Sequence, residues 1–240
     1  MSKMKMVAAC LVLAMGLFAL GGCSSPQTAQ PAAEMKVFRG VGESPVFRVG
    51  PGKDKNGGNI YSLTYVICSA LFDKDGKIID VHYDGLELLS PNDVEHPTAS
   101  KFSGWPGQAG FAGAEANTDE TAAKQVAAWQ TKRERGDKEY GMNWSEQVAV
   151  YQNFFKGKTV AEIEQWFAKN TSDLNGRPLV AKMTNPKDKE KYNKLTDAEK
   201  KALADVTSGA TISLKDAHGD YIDALKKAYA NKAEVSISGK

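Results

Sequence analysis

Alternating apolar and polar positions first become regular between Ile60 and Asp84. Tyr61, Leu63, Tyr65 and Ile67 recur at every second position, with Val66 and Leu71 nearby. Asp73-Lys74-Asp75-Gly76 interrupts the run, and Lys77-Ile78-Ile79-Asp80-Val81-His82-Tyr83 resumes it. Two β-rich runs around an Asp-Gly turn predict an antiparallel hairpin. Upstream, Met35 to Asn59 is rich in turn formers, with Phe38-Arg39-Gly40-Val41-Gly42 and Val49-Gly50-Pro51-Gly52, and is predicted to be irregular. These glycines lack the spacing and the strand-then-helix setting of a dinucleotide fingerprint. Downstream, Leu86 to Gly113 reads as a loop broken by Pro91, Pro97 and Pro106.

The period then changes from two to that of a helix. Thr118 to Arg135 places Ala122, Val126 and Trp129 on one face and leaves Lys132, Arg133 and Glu134 to solvent. Trp144 to Phe155 is a second helix, closed by Gly157-Lys158. Thr159-Val160-Ala161-Glu162 is a capping box that opens a third, with Val160, Ile163, Trp166 and Phe167 on its core face. Lys182 to Tyr192, charged and containing Pro186, reads as a solvated loop. Thr196-Asp197-Ala198-Glu199 is another capping box, starting a helix through Leu203. Tyr221 to Tyr229 is amphipathic, with Ile222, Leu225 and Tyr229 inward. The elements together predict an α+β fold, an antiparallel sheet with packed helices.

The first residues follow a different logic. Lys3 and Lys5 precede an apolar run from Val7 to Leu20, too short to span a bilayer comfortably, which ends in Leu20-Gly21-Gly22-Cys23. This order resembles a bacterial lipobox. It implies a signal peptide over residues 1–22, lipidation of Cys23 and a mature protein held on the extracytoplasmic face of the membrane. An ordinary secretory signal with an incidental cysteine is the alternative. Residues 23–35, Ser/Pro/Ala-rich and almost without apolar bulk, read as a flexible tether, leaving 36–240 as the folded part.

Charge and cysteine content narrow the chemistry. Removing Lys3 and Lys5 from the 31 basic residues leaves 29, equal to the 29 acidic ones. A neutral chain argues against a nucleic-acid-binding face. Of the 3 cysteines, Cys10 lies in the signal and Cys23 at the anchor, so Cys68 alone is left in the folded part. An internal disulfide, an iron–sulfur cluster and a four-cysteine zinc site are thereby excluded, and no Cys-x-x-Cys-His offers a haem attachment. Electrons, if the protein carries them, would need an organic cofactor.

The stretch with the most specific chemistry is Asp205-Val206-Thr207-Ser208-Gly209-Ala210-Thr211. Small residues before a threonine permit close backbone approach and leave the Thr211 hydroxyl unshielded. A polar loop between two helices is the plain alternative. Asp-x-x-Ser-Gly-Ala-Thr resembles the flavinylation motif of the FMN-binding domain family, which includes the FMN-carrying subunit of sodium-pumping quinone reductases and lipoprotein flavoproteins of Gram-positive extracellular electron transfer. The resemblance implies that a separate flavin transferase moves FMN from FAD onto Thr211 as a phosphoester, with Asp205, Ser208, Gly209 and Ala210 filling the other fixed positions. Asp75-Gly76-Lys77-Ile78 matches the hairpin turn of that family, and Phe102-Ser103-Gly104-Trp105-Pro106-Gly107 resembles a loop of its lipoprotein branch. The segment at about 115–195 would then be a helical insertion within one FMN-binding domain, a separate helical subdomain being the alternative.

Two further residues are candidates for contact with a flavin. Trp105 could stack on the ring, although an aromatic plug at a sheet edge is the commoner use of such a residue. His218 could contact or tune the ring, although a histidine near a helix start more often caps or is exposed. Helix-start amides close to Thr211 would suit a phosphate. The expected function is electron carriage by covalent FMN between a membrane quinol-linked donor and an external acceptor, the protein being the flavin transferase's substrate rather than an enzyme. The rival expectation is an extracytoplasmic binding module for a small ligand or protein, without flavin. A reductase with its own catalytic site would need a substrate domain and a second nucleotide site, and the sequence presents neither.

Overall fold

The computed structural model describes residues 35–103, 119–136, 138–139, 142–216 and 218–237. The expected signal peptide, Cys23 and Trp105 lie outside them. Strand β1 (Met35–Lys53) is followed by β2 (Asn59–Phe72), β3 (Ile78–Leu89) and the short β4 (Ser100–Lys101). Helices α1 (Asp119–Ala127) and α2 (Lys132–Arg135), strands β5 (Lys138–Glu139) and β6 (Met142–Asn143), and helices α3 (Trp144–Phe155), α4 (Val160–Asn170), α5 (Pro186–Lys194) and α6 (Asp197–Thr207) come next. Strands β7 (Lys215–Asp216) and β8 (Gly219–Asp220), helix α7 (Tyr221–Ala230) and β9 (Ala233–Ile237) complete the order. The fold is α+β. Its main sheet runs β4-β3-β2-β1-β9, antiparallel except where β4 lies parallel to β3.

The hairpin forms as its sequence predicts. Asp73 Oδ1 accepts the amides of Asp75 and Lys77 at 2.9 and 2.8 Å, and Gly76 takes the positive φ of 78° that the turn requires. Both capping boxes close on α4 and α6. The alternation within β2 has the opposite sense to its most conspicuous residues. Val66, Cys68, Ala70 and Phe72 face the helices and are buried, while Leu63, Tyr65 and Ile67 form the outer face. Burial pushes the Cys68 thiol up to about 12, which leaves it unreactive.

Met35 to Asn59 is not irregular. Most of it is the 19-residue strand β1, paired with β2 on one side and β9 on the other. Gly40 and Gly42 serve a different purpose from turning. A Cβ on Gly40 would stand 1.8 Å from Ala228 O, and one on Gly42 would stand 2.1 Å from Ala224 O. Helix α7 therefore rests its own backbone on β1, with Leu225, Ala224 and Ala228 fully buried between them. Helices α3 and α4 extend the same layer through Trp144, Val148, Tyr151, Phe155, Ile163 and Phe167.

Other expectations are corrected too. Leu86 to Leu89 belong to β3, and the following loop returns as β4. The helix expected over Thr118 to Arg135 is two helices, because a capping box at Thr131 and Glu134 starts α2 afresh. Trp129 falls in the break, donates to Lys101 O at 3.0 Å and packs edge-on against Phe102. The Lys182–Tyr192 segment contains α5, begun by Asn185 as N-cap with Pro186 in the first turn, where a missing amide costs nothing.

Gly42→Ala should lower stability by about 1–3 kcal/mol, because a methyl group there meets backbone that can move only with the whole helix. A urea midpoint equal to that of the wild type would show that α7 does not sit this closely.

Candidate functional site

Helix α6 delivers the chain to the candidate acceptor. Its last turn continues with Ser208 N donating to Ala204 O at 3.0 Å and tightens where Gly209 N donates to Val206 O at 3.2 Å. Ser208 Oγ donates back to Asp205 O at 2.8 Å, which links two of the motif residues, and the Asp205 side chain is exposed. Ala210, Ile212 and Leu214 are buried, so the chain is pinned on both sides of Thr211. Thr211 itself is exposed. Its amide donates to Gln147 Oε1 at 3.0 Å and its hydroxyl to the same oxygen at 3.2 Å.

Gln147 is fully buried in α3, so this oxygen holds Thr211 from beneath. Gly209 explains itself by the same helix. A Cβ there would stand 2.8 Å from Val150 Cγ2, one turn along α3 from Gln147. The small residues of the motif thus let the loop lie against α3 while the Thr211 hydroxyl remains at the surface. Two residues on, Ser213 Oγ accepts from Arg177 Nε at 3.0 Å. Gln147 lies near the start of α3. Thr211 follows the C-terminal end of α6, and the start of α7 is closed by Asp220, whose carboxylate accepts Asp223 N at 2.8 Å.

His218 is not brought to Thr211's loop by any of these bonds, and the cap of α7 is Asp220. The His218 ring is exposed, and its Nε2 accepts from Arg48 Nη2 at 3.2 Å. Arg48 Nε donates to Ser62 Oγ at 2.9 Å, and its Nη2 stands 3.8 Å from Glu87. Lys132 Nζ approaches the other Glu87 oxygen at 3.3 Å. The expectation that Lys132 is solvated is overturned, because its side chain is 3% exposed and that of Glu87 13%. Burial works to raise the Glu87 carboxyl, but Lys132 first, then His218 when protonated, and Arg48 together hold it below the usual carboxylate range.

These groups occupy one end of the helix-covered sheet face. The inward positions of β2 are apolar from Phe72 to Val66 and become hydroxylic at Thr64 and Ser62. Thr64 pairs with Glu87 on β3, and Ser62 with Arg48 on β1. Strand β8 lies on this boundary. Gly219 takes φ 119°, and a Cβ there would stand 2.2 Å from Val66 Cγ2. The exchange of apolar for polar residues at alternate positions was visible in the sequence. Its meaning was not, because period-two alternation alone does not say which phase of a strand faces the helices.

No family model and no solved structure matches the chain. The chain is similar to the chlorophenol reductase of Desulfitobacterium hafniense, with 40% identity over 222 residues, 85% of this chain and 61% of that protein. It thus spans about three fifths of the relative's length.

Lys132→Met should cost about 3 kcal/mol near neutral pH, since it leaves Glu87 half-paired in a buried setting. In the wild type the depressed Glu87 value gives stability that is present above the unfolded-state value and lost as pH falls through the folded one. In the variant burial is less opposed, the carboxyl rises, and the deficit should shrink as pH is lowered toward about 4. Urea unfolding at several pH values checks this, and a deficit independent of pH would contradict it. Separately, Gly209→Ala should destabilise by about 1–3 kcal/mol. Adding Val150→Ala should recover part of that loss, with a coupling above about 0.5 kcal/mol in a double-mutant cycle.

Proposed function

We propose that the chain is an extracytoplasmic electron carrier of the FMN-binding domain type, lipid-anchored through Cys23 and bearing FMN joined to Thr211 by a phosphoester. The observation that carries this reading is the exposed Thr211 hydroxyl between buried Ala210 and Ile212, seated on the buried Gln147 oxygen. A threonine in a merely solvated loop needs no fixed bed of this kind. Gly209 leaves no room for a side chain against Val150, so the motif's small residues answer a packing demand that keeps the acceptor outward. The similarity to a protein named a reductase supports a redox role for the chain.

The transfer balances without any base from this protein. Thr211 Oγ forms a bond to the FMN phosphorus of FAD, the pyrophosphate P–O bond breaks, AMP leaves, and the hydroxyl proton goes to the flavin transferase. Gln147 Oε1 accepts the hydroxyl proton's hydrogen bond beforehand and so turns an oxygen lone pair outward. Once attached, FMN supplies reversible uptake of one or two electrons, while the protein supplies tethering, environment and access. Covalent attachment suits a site outside the cell, where a dissociable cofactor would be lost by dilution. A lipid anchor at Cys23 would hold the carrier near a quinol-linked donor. The buried Cys68 thiol, with its raised value, is unsuited to the redox role.

Co-expression with a flavin transferase, followed by intact mass and visible absorbance, tests the proposal. The wild type should be yellow and heavier by one FMN, and Thr211→Ala colourless and unmodified. An unmodified wild type would leave the ligand-binding module as the better account, and flavin retained by Thr211→Ala would mean another acceptor.

A further inference from the structure

Gln147 is fully buried on α3, on the helix that also buries Trp144, Val148, Tyr151 and Phe155. A methionine would fill a similar volume there without taking an amide out of water. Thr211 lies at the surface, where water can accept from its hydroxyl. The exposed hydroxyl therefore has no need of a protein acceptor. Both Thr211 donors nevertheless end on the one Gln147 oxygen, the amide at 3.0 Å and the hydroxyl at 3.2 Å.

Two bonds from one residue to one oxygen fix more than either alone. The amide bond places the backbone, and the hydroxyl bond then selects one of the three staggered positions open to Oγ. The oxygen itself is held on a rigid element. Helix α3 starts from its Asn143 cap, whose Oδ1 accepts Ser145 N at 2.8 Å. One turn beyond Gln147, Val150 closes on Gly209, and the Tyr151 hydroxyl reaches Ile212 O at 3.5 Å. The helix thus meets the loop before, at and after Thr211. A side chain placed in this way on a packed helix is positioned more narrowly than one held by its loop alone.

We infer that Gln147 is the positioning residue of the flavin transfer, engaged with the Thr211 hydroxyl before attachment and half released by it. The inference rests on the reading of Thr211 as the FMN-bearing residue. With its proton directed at Gln147 Oε1, the hydroxyl offers a lone pair to the phosphorus of FAD in a set direction. When the Oγ–P bond forms and AMP leaves, the proton passes to the transferase. Oγ is then an ester oxygen with nothing to donate. Gln147 keeps the Thr211 amide and loses the hydroxyl, so the seat that presents the acceptor is taken apart by its use.

The test follows AMP release from FAD by a purified flavin transferase acting on the unmodified wild type, Gln147→Met and Gln147→Glu, with thermal unfolding of each. Both variants give up the side-chain N–H donors, so their difference reports the accepting oxygen alone. Gln147→Met should lower kcat at least about tenfold with KM for the protein substrate unchanged, as expected of a misplaced nucleophile. Mere destabilisation would instead raise the apparent KM, because less of the substrate would be folded. Gln147→Glu, whose carboxyl oxygen accepts the same two donors, should recover most of the lost kcat. In the wild type, the Gln147 Cδ resonance should move when FMN is attached, since Oε1 loses one donor. A Gln147→Met that keeps the wild-type kcat, a Gln147→Glu as slow as Gln147→Met, or a Cδ resonance unmoved by attachment would each overturn the inference. A wild type that acquires no FMN, or acquires it at another residue, would instead overturn the Thr211 reading.

Discussion

Helix α7 touches strand β1 backbone to backbone, because Gly40 and Gly42 offer no side chains to hold it away. Much else is fixed by that contact. With α7 laid on β1 and β2, its first residue brings Tyr221 N to Leu214 O at 3.0 Å, and the Tyr221 hydroxyl meets Trp144 of α3. The segment between α6 and α7, residues 208–220, must then pack back onto the layer. Leu214 and Ile212 are drawn into the core, and Gly219 is pressed on Val66 where only glycine fits. Thr211 faces outward as the remainder of that geometry. A longer side chain on β1 would lift α7 and loosen the loop's whole bed.

What could be read in the sequence was what is decided locally. The Asp73–Gly76 turn and the capping boxes at Thr159 and Thr196 satisfy backbone groups with side chains only a few residues away, so their signals survive without tertiary context. The same holds for Ser208 to Thr211, whose smallness marks a tight surface loop. Residues whose purpose depends on a distant partner misled. Gly40 and Gly42 look like turn formers until α7, more than 180 residues later, is laid over them. Lys132 sits in a run of four charged residues and reads as solvated, yet Glu87 draws it under the helix layer. Gln147 is one polar residue in a helix, and only the arrival of Thr211 shows why it is buried.

The covered face of the sheet divides into an apolar and a polar part. At the Phe72 end it is a conventional core, closed by Tyr229 edge-on to Phe72 and by α3 and α4. The exposed edge of β3 at Tyr83 is also dealt with, since Gln152 accepts its amide at 3.1 Å and Arg133 donates to its carbonyl at 2.9 Å. These bonds leave little freedom in the middle of the layer. At the Ser62 end the same strands carry hydroxyls and charges, with Ser62 and Thr64 buried and Arg48 and Glu87 partly so. A chain selected for stability alone would continue the apolar series to the end of β2, because buried ion pairs seldom exceed the worth of packed hydrocarbon.

The two halves meet at Val66 and Thr64, beneath Gly219. The apolar half supplies the rigidity that holds Gln147, Tyr221 and Trp144 in place. The polar half supplies charge that the apolar half could not. Such a division separates two demands that conflict in one group of residues: holding a loop still requires packed, unyielding side chains, and seating charge beneath a helix layer requires polar ones already paired. The structure keeps these on successive stretches of the same three strands, with the Ser208–Thr211 loop anchored to α3 through Gln147.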